Sequence, residues 1–173
     1  TMHLTGRVAI VTGAGGGLGR AHALELARHG AKVVVNDLGP AAHDVAREIV
    51  DNGGEAFGAE GSVTDEAAVG AMVASALSSW GRVDILVNNA GILRDKTFAK
   101  MSLDDFRLVL DVHLMGSVIC TKAVWDAMRE QAYGRVVMTT SSSGLFGNFG
   151  QSNYGAAKMG LVGLMQVLSI EGE

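Results

Sequence analysis

Short apolar runs alternate with amphipathic stretches along the chain. The runs are rich in β-branched residues and predict buried strands near residues 7–12, 31–36, 56–60, 83–88 and 135–140. Between them, apolar residues at helical spacing predict helices near residues 18–29, 41–52, 65–80, 103–131 and 153–172. Strand–helix alternation of this kind predicts an α/β fold, a doubly wound parallel sheet in a three-layer α/β/α arrangement with right-handed crossovers.

Composition is consistent with one globular domain over residues 1–173. Hydrophobic residues make up 48% of the chain, which is enough for a sizeable core, and the 24 glycines suit tight turns. A net charge of −4 without a basic cluster argues against a nucleic-acid partner. No signal sequence opens the chain and no apolar run reaches membrane-spanning length, so we expect a cytoplasmic protein without a membrane partner. A peroxisomal targeting signal at a missing C-terminus is an alternative that stays open.

Neither a disulfide framework nor a metal site is predicted. Cys120 is the only cysteine, and its apolar neighbours indicate a buried packing residue rather than a nucleophile. Four histidines are scattered without the spacing of metal ligands: His3, His22, His29 and His43.

A glycine-dense turn, Thr12–Gly19, follows the first predicted strand and opens the first predicted helix. Glycines let the backbone approach a pyrophosphate closely, and the free N–H groups of the helix start face that anion. The second strand ends at Asp37, about 24 residues after Gly13, near the spacing at which a carboxylate accepts hydrogen bonds from an adenosine ribose. The alternative is a glycine-rich turn without a ligand. The turn holds no lysine or arginine and Asp37 would repel a 2′-phosphate, so NAD is favoured over NADP.

Tyr154 and Lys158 are four residues apart and fall on one face of a helix. A tyrosine hydroxyl titrates near pH 10, and an adjacent ammonium favours the phenolate that acid–base catalysis needs. Ser141 follows the strand predicted at 135–140, where its hydroxyl could hold a substrate oxygen. Taken alone, the tyrosine–lysine pair is a weak signal, because solvated helix faces carry it by chance.

These motifs together resemble the short-chain dehydrogenase/reductase family. Thr12-Gly-x-x-x-Gly-x-Gly19, Asn88-Asn-Ala-Gly91, Ser141 and Tyr154-x-x-x-Lys158 occur in the family's order and spacing, in a match that runs from about Thr5 to the last residue. The resemblance implies a Rossmann fold, a nicotinamide cofactor and a homodimer or homotetramer. It also implies the cofactor-binding residues, which are Gly13, Gly15, Gly17, Leu18, Gly19, Asp37, Ser62, Val63, Asn88, Ala90, Gly91, Tyr154 and Lys158.

The resemblance assigns further roles. Ser141, Tyr154 and Lys158 would be catalytic, with Lys158 also bonding the nicotinamide ribose. His113 occupies a position where many members have an asparagine that helps hold a water in a proton relay. Because a histidine on a mostly apolar helix is often a core residue, its catalytic role is the weaker of two interpretations. Ser62 stands where an aspartate is commoner, which makes a direct contact of its side chain with adenine doubtful.

Four further segments resemble a closer branch, the (3R)-hydroxyacyl-CoA dehydrogenase units of peroxisomal multifunctional enzymes and their bacterial relatives. The segments are Asn36–Gly39, Asn89–Asp95, Asp111–Leu114 and Gly147–Tyr154. The implied activity is NAD-dependent oxidation of a (3R)-3-hydroxyacyl thioester. Two alternatives remain open: a dehydrogenase for a steroid, sugar or small alcohol, and a non-catalytic nucleotide-binding protein if the chain truly ends at Glu173.

Two departures from the family's pattern lead to expectations about the chain itself. Members have two further strands, so we expect this fold to be truncated after the fifth strand and the helix that follows it. The connection after Gly39 is also shorter than in the closer branch, either because the loop is trimmed or because residues are omitted. The long helices near 103–131 and 153–172 are the expected interface elements of an oligomer, although their apolar faces could equally be core.

Overall fold

The computed structural model describes residues 3–173. Five strands form one parallel sheet in the order β3-β2-β1-β4-β5. The strands are β1 (Val8–Val11), β2 (Lys32–Asp37), β3 (Ala56–Glu60), β4 (Ile85–Asn88) and β5 (Arg135–Met138). This arrangement confirms the predicted Rossmann-type fold.

Helices connect the strands close to the predicted positions. They are α1 (Gly17–Arg28), α2 (Ala41–Asp51), α3 (Glu66–Trp80), α4 (Leu103–Leu110), α5 (Gly116–Glu130), α6 (Ser142–Phe146) and α7 (Ser152–Glu171). Local sequence explains the bounds of α3 well. The Asp65 carboxylate accepts hydrogen bonds from the Ala67 and Ala68 amides at its start, and Gly81 ends it with a φ of 75°.

Alternate strand residues point to opposite sides of the sheet, and both faces are buried at the three central strands β1, β2 and β4. One face packs against α3 and α5 through Val8, Ile10, Val34 and Leu86. The other face packs against α1 and α2 through Ala9, Val11, Val33 and Val35. The near-continuous apolar runs of the sequence follow from this double burial.

The helix predicted over 103–131 is interrupted, which corrects the expectation of one uniform α-helix. A π-helical turn, Asp111–Met115, joins α4 to α5, and the Gly116 amide donates to the Asp111 carbonyl five residues back. The Ser117 hydroxyl donates to the His113 carbonyl at 2.7 Å. A Cβ on Gly116 would lie 2.5 Å from Cγ2 of Val63, so only glycine permits this close packing.

The same stretch corrects the statement that no run reaches membrane-spanning length. Leu103–Glu130 has 28 residues and contains an 18-residue window with a mean hydropathy of 1.4, so the stretch is long and apolar enough to cross a membrane by length and composition. One such helix is weak evidence for a span, because core helices pass the same test. Here Val109, Cys120 and Val124 are fully buried in the fold.

The single cysteine, Cys120, is a packing residue. Burial raises the pKa of the Cys120 thiol to about 12, as expected of a packing residue.

One short helix, α6, was not predicted. Its sequence Ser142–Phe146 is too short and too rich in serine and glycine to show helical periodicity. The Ser141 hydroxyl oxygen caps it by accepting a hydrogen bond of 3.2 Å from the Ser143 amide. The predicted candidate Ser141 is therefore fixed by a helix start rather than left in an open loop.

Candidate active site

The candidate residues gather at the carboxyl edge of the sheet. Gly13 follows β1, Asp37 ends β2, Ala90 follows β4 and Ser141 follows β5. The strand order reverses between β1 and β4, because the chain goes from β1 outward to β3 and then returns to the other side of β1. In open parallel sheets, ligands bind in the crevice at such a switch point.

Glycines in the turn after β1 are required by close backbone contacts. Gly13 has a φ of 60°, and a Cβ there would lie 2.7 Å from the Cα of Ala90. A Cβ on Gly19 would collide with the Gly13 carbonyl oxygen and lie 2.5 Å from Nδ2 of Asn89. The turn is therefore packed directly onto the segment that follows β4.

Thr12 and Asn89 hold these two segments together, and neither was among the predicted site residues. The Thr12 hydroxyl oxygen, fully buried, accepts hydrogen bonds of 3.0 Å from the amides of Asn89 and Ala90. The Asn89 side chain donates to the carbonyl oxygens of Thr12 and Gly13, each at 3.1 Å. Their polar side chains at the ends of two apolar strands were the available signal.

The start of α1 is suited to an anion. Its N-cap residue, Gly16, offers no side-chain hydrogen bond, and the first turn of this helix contains no acidic residue. Leu18 in that turn is 69% exposed. The first amides of a helix lack intrahelical partners, so those of Gly17, Leu18 and Gly19 can face a pyrophosphate.

Asp37 connects the end of β2 to the glycine turn. Its Oδ2 accepts a hydrogen bond of 2.8 Å from the Gly15 amide, and its Oδ1 accepts one of 2.7 Å from the Leu38 amide. Arg20, the cation in the first part of α1, is engaged by Glu48 of α2. The glycine cradle, the open helix start and this carboxylate together fit a dinucleotide.

Ser62 and Val63 follow β3, and both interact with other residues of the protein. The Ser62 hydroxyl oxygen lies 2.7 Å from Oγ1 of Thr64 and accepts a hydrogen bond of 3.2 Å from the Thr64 amide. Val63 is 6% exposed and belongs to the core on the α3 side. The two hydrogen bonds hold the Ser62 side chain in a local turn, and Val63 packs against Gly116 at the start of α5.

Lys158 and Tyr154 lie side by side on α7. The Lys158 side chain is buried, and its ammonium nitrogen donates a hydrogen bond of 2.6 Å to the Thr139 carbonyl. Burial lowers the pKa of Lys158 to about 8. Its Nζ lies 5.4 Å from the centre of the Tyr154 ring. The predicted pair is therefore an interior pair and not one on a solvated helix face.

Close packing of α6 on α7 holds Ser141 near this pair. A Cβ on Gly144 would lie 3.0 Å from the Met159 amide nitrogen, so the two helices approach at their backbones. The Thr140 hydroxyl donates a hydrogen bond of 2.8 Å to the carbonyl of Lys158. The end of β5, which carries Ser141, is thus bonded to the helix turn that carries the lysine.

His113 is buried beside Tyr154. Their rings meet edge to face with centroids 5.2 Å apart, and Nε2 of His113 lies 2.7 Å from the Ile92 carbonyl oxygen. Burial lowers the pKa of His113, the hydrogen bond with Ile92 opposes this, and the nearby Lys158 charge lowers it further. The Ile92 amide nitrogen lies 3.0 Å from the same Nε2, so a neutral ring either donates from Nε2 to the carbonyl or accepts there from the amide, according to its tautomer. A Cβ on Gly91 would collide with the ring, which explains the glycine there.

Two buried polar atoms near the end of β4 have no hydrogen-bond partner within residues 3–173. They are Oδ1 of Asn88 and Nδ1 of His113. The Asn88 amide group donates to the Thr121 hydroxyl at 3.1 Å, which ties the end of β4 to α5. Asn88 therefore supports the edge of the sheet at the end of β4.

Two other kinds of site to consider among the described residues are a metal cluster and a cavity away from the sheet edge. Over the described part of the chain, no group of three or more His, Cys, Asp or Glu side chains could hold a metal ion. A cavity of about 550 Å³ lies at the amino end of β5 and is lined by Trp125, Tyr133 and Leu168 among others. None of the predicted site residues lines it.

A parallel sheet with a glycine turn at its switch point, and a buried lysine beside a half-buried tyrosine at the same edge, defines the class of dinucleotide-dependent oxidoreductases. The short chain dehydrogenase family matches residues 7–173. This chain belongs to that family. Membership places it among oxidoreductases that act on CH–OH groups and implies a nicotinamide cofactor.

Relatives and solved structures support the assignment. The chain is 55% identical to the peroxisomal multifunctional enzyme type 2 of Drosophila melanogaster, over 96% of its own length and 29% of that enzyme. It is 45% identical to a 3-oxoacyl-[acyl-carrier-protein] reductase of Synechocystis, over 97% of its own length and 69% of the relative. A short chain dehydrogenase from Mycobacterium avium superposes with a TM-score of 0.89 at 42% identity, over 95% and 62% of the two chains.

Proposed function

We propose that this chain catalyses the NAD-dependent interconversion of a secondary alcohol and a ketone, with a (3R)-3-hydroxyacyl-CoA as the substrate. The observation that carries the proposal is the buried Lys158 beside Tyr154 at the sheet edge that also carries the glycine turn. Ser141 completes the set. A protein that only bound nucleotides would have no need of these three groups together.

The proposed roles follow from the hydrogen bonds of each group. In oxidation, the phenolate of Tyr154 accepts the proton of the substrate hydroxyl, and the ammonium of Lys158 stabilises that phenolate. Ser143 donates to Oγ of Ser141, which fixes that oxygen and leaves the Ser141 hydroxyl proton to bond the substrate oxygen. A bound nicotinamide supplies the acceptor for the hydride that leaves the substrate carbon.

The residues that would hold the cofactor favour NAD. The turn from Gly13 to Gly19 would receive the pyrophosphate, and Asp37 would accept hydrogen bonds from the adenosine ribose. Each Asp37 oxygen already accepts one backbone hydrogen bond, and a carboxylate oxygen can accept a second. The carboxylate would repel a 2′-phosphate, and Arg20 is committed to Glu48. Lys158 would bond the nicotinamide ribose.

A thioester substrate is supported by two independent features. The segments Asn36–Gly39, Asn89–Asp95, Asp111–Leu114 and Gly147–Tyr154 resemble those of (3R)-hydroxyacyl-CoA dehydrogenase units. The name of the Synechocystis relative states a 3-oxoacyl group, which is the ketone that oxidation of a 3-hydroxyacyl group would give. The carrier differs between these two, and coenzyme A is the one proposed here.

The test is a substrate panel read by reduction of NAD. We expect oxidation of a (3R)-3-hydroxyacyl-CoA, and slower oxidation of steroid, sugar and small alcohols. Tyr154→Phe should reduce turnover by about 10²–10⁴-fold, the loss typical of a missing acid–base group, and should leave the affinity for NAD nearly unchanged. Tyr133→Phe is the matched control, because Tyr133 packs between Arg7 and Arg135 at the opposite end of β5.

Three results would redirect the proposal. Near-normal turnover by Tyr154→Phe would remove Tyr154 from its assigned role. Faster oxidation of a steroid, sugar or small alcohol would favour the second candidate substrate class. Binding of NAD without oxidation of any substrate in the panel would identify a nucleotide-binding protein.

A further inference from the structure

Two loops are bonded to each other beside the proposed catalytic residues. The Lys96 amide donates to the Gly150 carbonyl at 2.9 Å, and the Gln151 side chain donates to the Asp95 carboxylate at 2.9 Å. The Ser143 hydroxyl donates to the Gln151 side-chain oxygen at 2.8 Å, two residues after Ser141. The junction therefore borders the groups that would hold the substrate oxygen.

We call residues 92–100, after β4, and residues 142–151, after β5, the two loops; the second includes the short helix α6. Large apolar side chains in these two loops are exposed. Phe146 and Phe149 are 86% and 87% exposed, and Phe98 and Leu93 are 77% and 55% exposed. We call these four residues the apolar rim. Single exposed apolar residues are ordinary, but four large ones in two loops bonded together are characteristic of a binding surface.

The rim also carries cations without partners. Lys96 and Lys100 are exposed and form no ion pair with any residue between 3 and 173. The carboxylates near them are engaged, since Asp95 accepts from Gln151 and Asp105 lies 3.9 Å from Arg94. Apolar rings beside unpaired ammonium groups fit a ligand that is itself part apolar and part anionic.

We infer that the apolar rim and its two lysines bind the coenzyme A thioester along its length. The acyl chain and the thioester arm lie against Phe146 and Phe149, and phosphate groups of coenzyme A pair with Lys96 and Lys100. The inference rests on the proposed function and adds the residues that select the carrier. A second copy of the chain would cover the apolar residues without requiring the lysines, so the thioester is the occupant that accounts for both features.

The lysines are tested with two thioesters of the same acyl group in the full chain. One is a 3-hydroxyacyl-CoA and the other a 3-hydroxyacyl-N-acetylcysteamine, which has no phosphate. The double variant Lys96→Glu/Lys100→Glu should lower the ratio of their kcat/KM values, CoA over N-acetylcysteamine, by about tenfold through lost phosphate contacts. Lys122→Glu reverses the charge of one exposed lysine on α5; it is the control and should leave the ratio unchanged.

The aromatic residues are tested by chain length. In Phe146→Ser/Phe149→Ser, the advantage of a long acyl chain over a short one should fall, by roughly fourfold for each methylene group that loses apolar contact. Ile170→Ser is the control, because Ile170 is 72% exposed on α7 and lies outside the two loops. An unchanged preference for chain length would remove the acyl chain from the rim.

The remaining outcomes separate this inference from the function on which it rests. If the unaltered protein oxidises both thioesters and the lysine variant keeps their ratio, the rim inference is overturned and the function stands. If the unaltered protein oxidises neither thioester, the proposed function fails. Calorimetric binding of coenzyme A alone to the unaltered protein and to the lysine variant then shows whether Lys96 and Lys100 bind its phosphates; equal affinities would overturn that role. A loss confined to thioesters on a carrier protein would overturn the assignment to coenzyme A.

Discussion

The Asp37 carboxylate accepts a hydrogen bond of 2.8 Å from the amide of Gly15. This bond fixes the end of β2 against the glycine turn, so the group proposed to bind ribose and the turn proposed to bind pyrophosphate form one unit. The position of the carboxylate is therefore set before any ligand binds, which lowers the cost of ordering the site.

Replacement of Asp37 should alter the choice of cofactor. Asp37→Ala removes the ribose acceptor and the negative charge together. We expect the Kd for NAD to rise roughly tenfold to a hundredfold, the range for a lost hydrogen bond to a charged group, while NADP binding weakens less or improves. Calorimetric titration with both cofactors measures the two constants. Asp44→Ala, an exposed position on α2, makes the same change of net charge and should leave the ratio alone.

Burial of Lys158 should make stability depend on pH. Its pKa is lowered to about 8 in the folded protein, against 10.5 for a free lysine. Between these two values the unfolded chain binds more protons, so the free energy of unfolding rises with pH and levels off above the unfolded pKa. The full rise amounts to roughly 3 kcal/mol. In the variant Lys158→Met, the free energy of unfolding should not show this rise with pH.

Urea unfolding from neutral pH to about pH 10.5, the unfolded lysine range, measures this effect as the difference between protein and variant. Lys122→Met, on the exposed side of α5, should follow the unaltered protein. Parallel curves for the Lys158 variant and the unaltered protein would mean that burial does not depress this pKa.

Close contact at Gly19 should reverse the usual effect of alanine in a helix. In an exposed helix, glycine to alanine gains up to about 1 kcal/mol. A Cβ at Gly19 would instead meet the Gly13 carbonyl and lie 2.8 Å from the Cα of Ala14. We expect Gly19→Ala to lower the free energy of unfolding by about 1–3 kcal/mol, as overpacking does, and to weaken NAD binding.

Gly16→Ala is the matched control for folding. Gly16 has an extended backbone with a φ of −172°, and nothing lies within 4 Å of the Cβ position. Its free energy of unfolding should change by less than about 1 kcal/mol, the scale of an N-cap change. A stable Gly19→Ala variant would show that the turn can separate from the segment after β4.

Sequence reasoning predicted the sheet because its strands follow from local patterns, and local patterns also singled out most of the candidate residues that the structure brings to one edge. A continuous apolar run such as Val8–Val11 predicts a strand that is buried on both faces. The turn after β1 requires glycine because its backbone lies too close to neighbouring atoms for a side chain. The bonds between Thr12 and Asn89 were missed, because their partners lie 77 residues apart and no local pattern reveals them. The π-helical turn Asp111–Met115 was missed since apolar periodicity continues through it.

An ion cluster around a buried carboxylate at the opposite edge of the sheet should govern stability in acid. The Asp84 carboxylate is fully buried and accepts hydrogen bonds from Arg82, Arg7 and the Val8 amide. Burial alone would raise the pKa of Asp84, yet these hydrogen bonds outweigh it and hold the pKa below its usual value. The cluster links the start of β1 to the start of β4, far from the proposed catalytic residues.

Asp84→Asn should therefore cost stability at neutral pH and progressively less in acid. A carboxyl whose folded pKa is lowered contributes stability above its unfolded pKa, near 3.9, and loses it as the pH falls through the folded value. We expect a loss of about 1–3 kcal/mol at neutral pH, the cost of lost hydrogen bonds to charged groups. Urea titrations between about pH 3 and pH 7 measure it, with Asp51→Asn, exposed at the end of α2, as the control. A loss that stays constant over this range would contradict a lowered pKa for Asp84 and would assign the cluster's contribution to packing alone.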